Sequence, residues 1–152
     1  MIRENKITIN SGLDSFILID KIIEADNKNI SGLKTFAETP AYLGLESLAQ
    51  LGACHIRFLT DFKRHAFLLK ITECLFPEER SLNGRYLLSG NIFGRSARAF
   101  SCFLQAEKEK KIQFEGKFLF ATIDYDYNFK REILQNHYKK VFSCLLNDSK
   151  KD

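Results

Sequence analysis

The segment TPAYLGLESLAQLGACHIRFLTDF, residues 39–62, is the most apolar helix-like run in the chain. Leucine, isoleucine and small residues occupy nearly every face of the helix that it would form. A helix that is apolar all round is normally buried on all sides. Pro40 suits the first turn of such a helix and Thr39 suits its N-cap, so we expect it to run from there to about Phe58 or Thr60.

One acidic side chain, Glu46, lies in the middle of this apolar run. A carboxylate on a buried helix is costly unless it is paired, neutralised or used in chemistry. Gln50 follows one turn later on the same face, and Ala53 and Arg57 continue the stripe. Such a polar line needs a cavity, water or a partner chain to face. Glu46 is therefore interpreted either as a hydrogen-bonding group at a dimer interface or as a functional carboxylate.

Strand-like stretches flank the helix on both sides. Residues 16–24 and 29–37 are rich in Ile, Leu and Phe around the turn-like ADNKN, which predicts a hairpin. Residues 112–120 alternate between apolar and polar side chains, which is the period of a strand. Four stretches of this kind follow the helix: AFLLKITECLFP, GRYLLSGNIFG, SARAFSCFLQAEKE and KKIQFEGKFLFATIDY.

The last segment, 129–146, places its apolar side chains on one stripe, which predicts an amphipathic surface helix. The predicted order is two strands, a buried helix, four strands and a terminal helix. A single helix that is apolar on all sides is hidden only if a curved antiparallel sheet wraps around it. This α+β arrangement is the hot-dog fold. We expect one domain over 1–152, with a core of about 14–122 and a helical extension of about 128–147.

Composition limits the classes of function. The chain has 152 residues, 45% of them hydrophobic, and a net charge of +4, which is mildly basic. Basic residues at 63, 64, 95, 98, 139 and 140 raise the hypothesis of a nucleic-acid-binding regulator, but no recognition-helix or aromatic-basic motif supports it, so no nucleic acid is expected. The N-terminus lacks a signal-peptide core, and no apolar run reaches the roughly 18 residues of a membrane span. The sequence predicts a cytoplasmic protein.

The 4 cysteines form no CxxC pair, so no metal site is expected and reduced thiols are the simplest interpretation.

Three segments of the chain resemble the β-hydroxyacyl-acyl carrier protein dehydratases and their hot-dog relatives. These segments are FILIDKIIEADNKNISGLKTF, GLESLAQLGA and LLKITECLFPEERSLNGRYLLSGNIFG. The resemblance covers roughly residues 14–122. Its sharpest part is LESLAQ, residues 45–50, which is similar to the glutamate-containing helix motif of that family.

The resemblance implies roles for several residues. Glu46 matches the catalytic acidic position, Gln50 the glutamine of the motif, and Pro40 the proline that opens the helix. It also implies a homodimer and a substrate acyl chain carried on the phosphopantetheine of acyl carrier protein or coenzyme A, with no resident cofactor. Backbone N–H groups around Ala41 and Tyr42 can polarise the thioester carbonyl, because they lie at the helix start.

The sequence also departs from that family. Its dehydratases carry a histidine in the loop before the helix, whereas the corresponding SGLKTFAETP is shorter and has none, and Ala41 stands where glycine is usual. His55 faces away from Glu46, about 180° around the helix. His65 and His137 come from the following loop and the terminal segment, and all three are interpreted as ordinary surface or boundary histidines. Ordinary 3-hydroxyacyl dehydratase activity is therefore expected to be weak or absent.

Two further hypotheses remain open beside the nucleic-acid regulator. In the first, the protein is an acyl-thioester enzyme of dehydratase or thioesterase type that uses Glu46 as its base. In the second, it is a non-catalytic hot-dog protein that binds acyl chains or an acyl carrier protein. Whether the chain is an enzyme is not decided by the sequence.

Overall fold

Six strands and two helices form the structure, a computed structural model that describes residues 17–76, 78–125 and 131–151, without the side chains of 131 and 147–151. The predicted order of elements is confirmed. Residues 14–16 and 128–130, which the predicted core and helical extension include, lie outside the described residues. The elements are β1 (Lys21–Ala25), β2 (Asn29–Pro40), α1 (Tyr42–Leu59), β3 (Arg64–Leu75), β4 (Ser81–Arg95), β5 (Ala99–Lys108), β6 (Lys111–Asp124) and α2 (Arg131–Lys151).

The strands form one curved antiparallel sheet in the order β1-β2-β4-β5-β6-β3. Helix α1 carries the chain from β2 to β3, which pairs with β6 at the far edge of the sheet. Strand β4 then returns to pair with β2, for example with Leu87 opposite Leu33. The strands β1 and β3 are therefore the two edges of the described sheet, and the predicted hot-dog architecture is confirmed.

The core lies between α1 and one face of the sheet. The predicted alternation in β6 is confirmed from Phe114 onwards, because Phe114, Phe118 and Phe120 are buried while residues 115, 117 and 119 are half-buried; Ile112, at the start of the strand, is exposed. Leu48 and Leu51 of α1 are fully buried on the facing side. Each such side chain contributes roughly 1.5–3 kcal/mol to folding by its removal from water. Two glycines allow the close approach, since a Cβ at Gly44 would lie 2.6 Å from Cζ of Phe114 and a Cβ at Gly52 would lie 2.8 Å from the Phe120 ring.

Helix α1 begins later than the sequence predicts. Pro40 is the last residue of β2, opposite Ser81, and Ala41 is the N-cap. The predicted cap, Thr39, instead exchanges hydrogen bonds with the backbone of Ala37. Pairing of β2 with β4 continues up to Pro40, and a proline is tolerated there because the end of a strand can lack an N–H donor. The predicted C-terminal end is confirmed, since α1 ends at Leu59.

The prediction that α1 is buried on every side is wrong. Tyr42 is 65% exposed and Glu46 is also exposed, whereas the buried residues of α1 face the sheet. The sheet covers only part of the helix circumference, and α2 crosses the open side next to the C-terminal half of α1, where both helices line a common cavity. The N-terminal half keeps an exposed face, and Glu46 lies on it.

Helix α2 packs on α1 and β1 through the predicted apolar stripe. The ring of Phe142 stacks on Phe58, with 5.3 Å between centroids, and meets Phe62 edge-on at 5.6 Å. Leu145 is buried beside it, whereas Ile133, at the start of the helix, is exposed although it belongs to the stripe. The C-terminal part of α2 therefore closes the hydrophobic core.

Candidate functional site

Glu46 projects from the exposed face of α1, in the second turn of the helix. Side chains of a helix lean towards its N-terminus, so this carboxylate leans over the first turn. Gln50, one turn later, uses its side-chain oxygen to accept a hydrogen bond from Leu18 N–H at 2.8 Å. Ser47 donates to the Leu18 carbonyl at 2.5 Å. Gln50 therefore holds the segment before β1 against α1, and Glu46 is the exposed member of the motif.

The first turn of α1 is a hydrogen-bond donor site. The Ala41 N–H donates to the Arg80 carbonyl at 3.0 Å, so one predicted donor already has a protein partner. The N–H groups of Tyr42 and Leu43 come next, where an α-helix leaves its donors without intrahelical acceptors. No side chain of the described residues caps this end, and no acidic residue lies in the first turn. The positive end of the helix dipole is therefore available to an oxyanion next to Glu46.

Among the described residues, no histidine forms a hydrogen bond or ion pair with Glu46. The His55 side chain is buried, and its Nε2–H donates to the Asp26 carbonyl at 2.8 Å, which ties the β1–β2 turn to α1. His65 and His137 lie near the C-terminal end of α1, since the charge of Arg57 acts on His65, and His137 and Arg57 line one cavity. Arg57 is about 16 Å from Glu46 along the helix axis at ~1.5 Å per residue. The interpretation of His55 as a surface or boundary histidine is wrong, because its side chain is buried and hydrogen-bonded within the fold.

The stability of the fold is expected to fall as the pH is lowered from neutrality. Burial lowers the pKa of His55 from its ordinary 6.5, although the Asp26 carbonyl opposes the shift. The unfolded chain therefore binds a proton at a higher pH than the folded chain does, so stability present above the unfolded pKa is lost as the pH falls towards the folded pKa. His55→Gln keeps a donor for Asp26 but does not titrate.

The measurement is the free energy of unfolding in urea, compared between about pH 7.5 and about pH 5.5. We expect a smaller loss at low pH in His55→Gln than in the wild type. Burial and, secondly, the Arg57 charge also lower the pKa of His65, so His65→Gln is expected to remove a separate part of the pH dependence. An identical pH dependence in the wild type and His55→Gln would contradict the assignment.

A cavity of about 220 Å³ lies between α1, β3 and α2. Its walls are mostly apolar, and they include Gln50 near one end of the α1 stripe and Arg57 near the other. Arg57 donates from Nη2 to the Ala66 carbonyl at 3.1 Å, and its guanidinium carbon lies 3.8 Å from the ring centre of Tyr138. The sequence placed Arg57 on the polar stripe and offered a cavity as one of three things that the stripe could face, but it did not indicate that β3 and α2 form the other walls.

Thiol and metal chemistry receive no support from the described residues. All four cysteines are free. Burial raises the pKa of Cys54 and raises that of Cys102 to about 12, so both remain thiols at neutral pH. Within 17–76, 78–125 and 131–151, no three His, Cys, Asp or Glu side chains are grouped as metal ligands would be. In the same residues, neither helix has the length and apolarity needed to cross a membrane.

Solved structures of thioesterases and of a dehydratase share this fold. The dehydratase heterocomplex ApeI:P from Xenorhabdus doucetiae aligns with a TM-score of 0.61 and 9% identity, covering 78% of this chain and 90% of that chain. A thioesterase from Haemophilus influenzae aligns with a TM-score of 0.61 and 9% identity, covering 76% and 85% of the two chains. A mutant thioesterase from Pseudomonas aeruginosa gives a TM-score of 0.61 and 10% identity, covering 76% and 88%.

These structural matches show that the chain has the hot-dog fold. At such low sequence identity, a shared fold does not establish a shared activity. No protein-family model matches the sequence, and no curated protein matches it either. The function therefore has to be argued from Glu46 and its surroundings.

Proposed function

We propose that this protein binds acyl thioesters at the N-terminal half of α1 and hydrolyses them with Glu46 as general base. The observation that carries the proposal is the exposed Glu46 carboxylate beside the uncapped first turn of α1. The hot-dog thioesterases and dehydratase that share the fold support this class of substrate. Hydrolysis is favoured over dehydration because it needs one base and water, whereas dehydration also needs an acid to protonate the leaving hydroxyl.

The reaction uses one base and two backbone N–H donors. Glu46 removes a proton from water as the water oxygen attacks the thioester carbonyl. The N–H groups of Tyr42 and Leu43 stabilise the oxyanion of the tetrahedral intermediate. Collapse of the intermediate breaks the C–S bond, and the thiolate leaves with the proton that Glu46 returns. The products are a carboxylic acid and a thiol, and Glu46 is regenerated as a carboxylate.

The acyl chain is proposed to arrive on phosphopantetheine, in the cytoplasm, attached to acyl carrier protein or coenzyme A. The net charge of +4 supports an anionic carrier. Lys63, Arg98, Lys139 and Lys140 are exposed and contribute to the positive charge of the protein surface. The exposed ring of Tyr42 lies at the helix start, where the pantetheine arm would pass.

A second candidate function is binding of acyl thioesters without turnover. The observation that favours it is that no histidine of the described residues is hydrogen-bonded or ion-paired with Glu46, and His55 is bonded to the Asp26 carbonyl instead. In this function the first turn of α1 holds the thioester carbonyl and the acyl group is carried unchanged.

The test is incubation of the protein with saturated, enoyl and 3-hydroxyacyl coenzyme A thioesters. We expect thiol release from saturated thioesters and no interconversion of the 3-hydroxyacyl and enoyl forms. Binding by calorimetry without thiol release would favour the second candidate. Robust dehydration would contradict the expectation that dehydratase activity is weak or absent without the loop histidine. Failure of every thioester to bind would contradict both candidate functions.

We also propose that the protein is a homodimer that pairs through the β3 edge. The reason given by sequence, an unsatisfied polar stripe, is weaker in the structure because Gln50 and Arg57 have hydrogen bonds within the chain. Strand β3 supplies a different reason. As an edge strand of the described sheet it offers unpaired backbone groups, and it carries exposed apolar side chains that a second copy would cover. These are Phe67, Leu68, Leu69 and Leu75, followed by Phe76.

The Leu69→Lys variant is expected to shift the protein from dimer to monomer, because a lysine on an edge strand opposes strand pairing. Sedimentation at micromolar concentration would give twice the 17.6 kDa chain mass for the wild type and the chain mass for the variant. Phe93→Lys is the matched control, since Phe93 is 54% exposed against 53% for Leu69 but lies on the interior strand β4. A monomeric wild type, or equal dissociation by both variants, would contradict the β3 interface.

A further inference from the structure

The cavity between α1, β3 and α2 contains a cation that has no described counter-charge. Arg57 Nε is buried and has no hydrogen-bond partner among the described residues. Within those residues, no carboxylate lies within ion-pair distance of its guanidinium group; the described ion pairs are Lys34–Asp20, Arg64–Asp124 and Lys117–Glu73. Arg57 as a whole is half-buried, but its Nε–H is enclosed, and an anion in the cavity would satisfy this donor.

The guanidinium group is also held in place. One Nη2 N–H donates to the Ala66 carbonyl, and the guanidinium carbon lies 3.8 Å from the centre of the Tyr138 ring. This leaves the buried Nε–H as a donor without an acceptor among the described residues, and guanidinium N–H groups form strong, charge-assisted hydrogen bonds to carboxylates. The hydroxyl of Tyr125 is near Arg57, and it too is buried without a hydrogen bond of good geometry to any described residue. Tyr125 does not line the cavity itself, so Arg57 is the donor that faces a bound acid.

The rest of the cavity suits an apolar body. Ala49, Ala53, Val141 and Leu145 line it, together with Phe120 from the sheet. Its volume of about 220 Å³ exceeds the ~150 Å³ of an engineered apolar cavity that binds benzene, so about nine non-hydrogen atoms fit by proportion. A free inorganic anion would leave most of this apolar wall uncovered.

We infer that this cavity is a binding site for a small monocarboxylic acid, with the carboxylate on Arg57 and the apolar body between α1 and α2. The site is separate from the proposed thioester site, because Arg57 lies about 16 Å along α1 from Glu46. A ligand held there contacts both helices, so it stabilises the packing of α2 on α1. The inference goes beyond the proposed function and does not depend on turnover.

The experiment is calorimetric titration of the full chain with heptanoate, which has about the number of atoms that fit. Heptan-1-ol supplies the same chain with a neutral head, and acetate supplies the head without the chain. We expect heptanoate to bind at least roughly tenfold more tightly than either, since hydrogen bonds to charged groups and apolar burial both contribute. Equal binding of heptanoate and heptan-1-ol, or no heptanoate binding at roughly 10 mM, would overturn the inference.

Substitutions inside and outside the cavity test where heptanoate binds. Arg57→Gln is expected to weaken heptanoate binding roughly tenfold or more, and the exposed Arg98→Gln serves as the matched control with unchanged affinity. Ala49→Leu fills the cavity while leaving Arg57 in place, so it is expected to weaken binding even if Arg57→Gln fails to fold. Unchanged affinity in Ala49→Leu, or a tenfold loss in Glu46→Gln, would show that heptanoate binds elsewhere.

Discussion

Replacement of Glu46 by Gln is expected to lower kcat/KM for acyl-thioester hydrolysis about 100-fold or more, because a positioned general base contributes roughly 10²–10⁴-fold and an amide cannot accept the proton. Gln preserves the shape of the side chain. Glu46 is exposed and makes no described side-chain hydrogen bond or ion pair, so the fold should tolerate the change. Thiol release with a saturated acyl coenzyme A is the measurement, and the melting temperature should stay that of the wild type.

The matched control is Glu24→Gln, which removes another exposed carboxylate, on β1 and far along the chain from the first turn of α1. Its turnover should equal that of the wild type. If Glu46→Gln hydrolysed thioesters at the wild-type rate, Glu46 would not be the base and the resemblance of LESLAQ to the dehydratase motif would have misled the assignment. If thioester binding alone were lost, Glu46 would act as a contact for the substrate.

The fold was predictable because its signals are local. The alternation in 112–120 and the apolar run in 39–62 are read within one element, and the structure confirms the strand and the helix that they predict. The start of α1 was not predictable in this way. Pro40 suits a first helical turn, but pairing of β2 with β4 keeps it in the strand, and that pairing joins residues far apart in sequence.

The sequence predicted which residues form the candidate site, but it did not predict how exposed they are or which groups they contact. The LESLAQ segment indicated Glu46 and Gln50, and the structure places both on α1. However, Glu46 is exposed, and the side chain of Gln50 is hydrogen-bonded to the Leu18 N–H. These differences depend on where the sheet and α2 leave α1 uncovered, which no local pattern encodes. The charge of Arg57 is evident in the sequence, whereas its apolar enclosure depends on α2, a distant segment.

The substitution Gly52→Val, on the buried face of α1, is expected to have a large effect on the stability of the fold. A Cβ at this position would lie 2.8 Å from two carbons of the Phe120 ring and 3.0 Å from a methyl group of Leu104. Both neighbours are fully buried, so neither can move without displacing others. We expect the variant to lose about 3 kcal/mol or more of unfolding free energy, or to fail to fold, because overpacking forces strained rotamers and backbone shifts.

Ala49→Val separates lack of space from helix propensity. Ala49 lies on the same helix but lines the cavity of about 220 Å³, so a valine there has room. Intrinsic propensity alone predicts the opposite order, since Val is better than Gly in a helix but worse than Ala by roughly half a kcal/mol. Urea unfolding should therefore give a small loss for Ala49→Val and a large one for Gly52→Val. If Gly52→Val were as stable as the wild type, α1 would not pack on β6 as closely as the structure places it, and the cavity between α1, β3 and α2 would have a different shape.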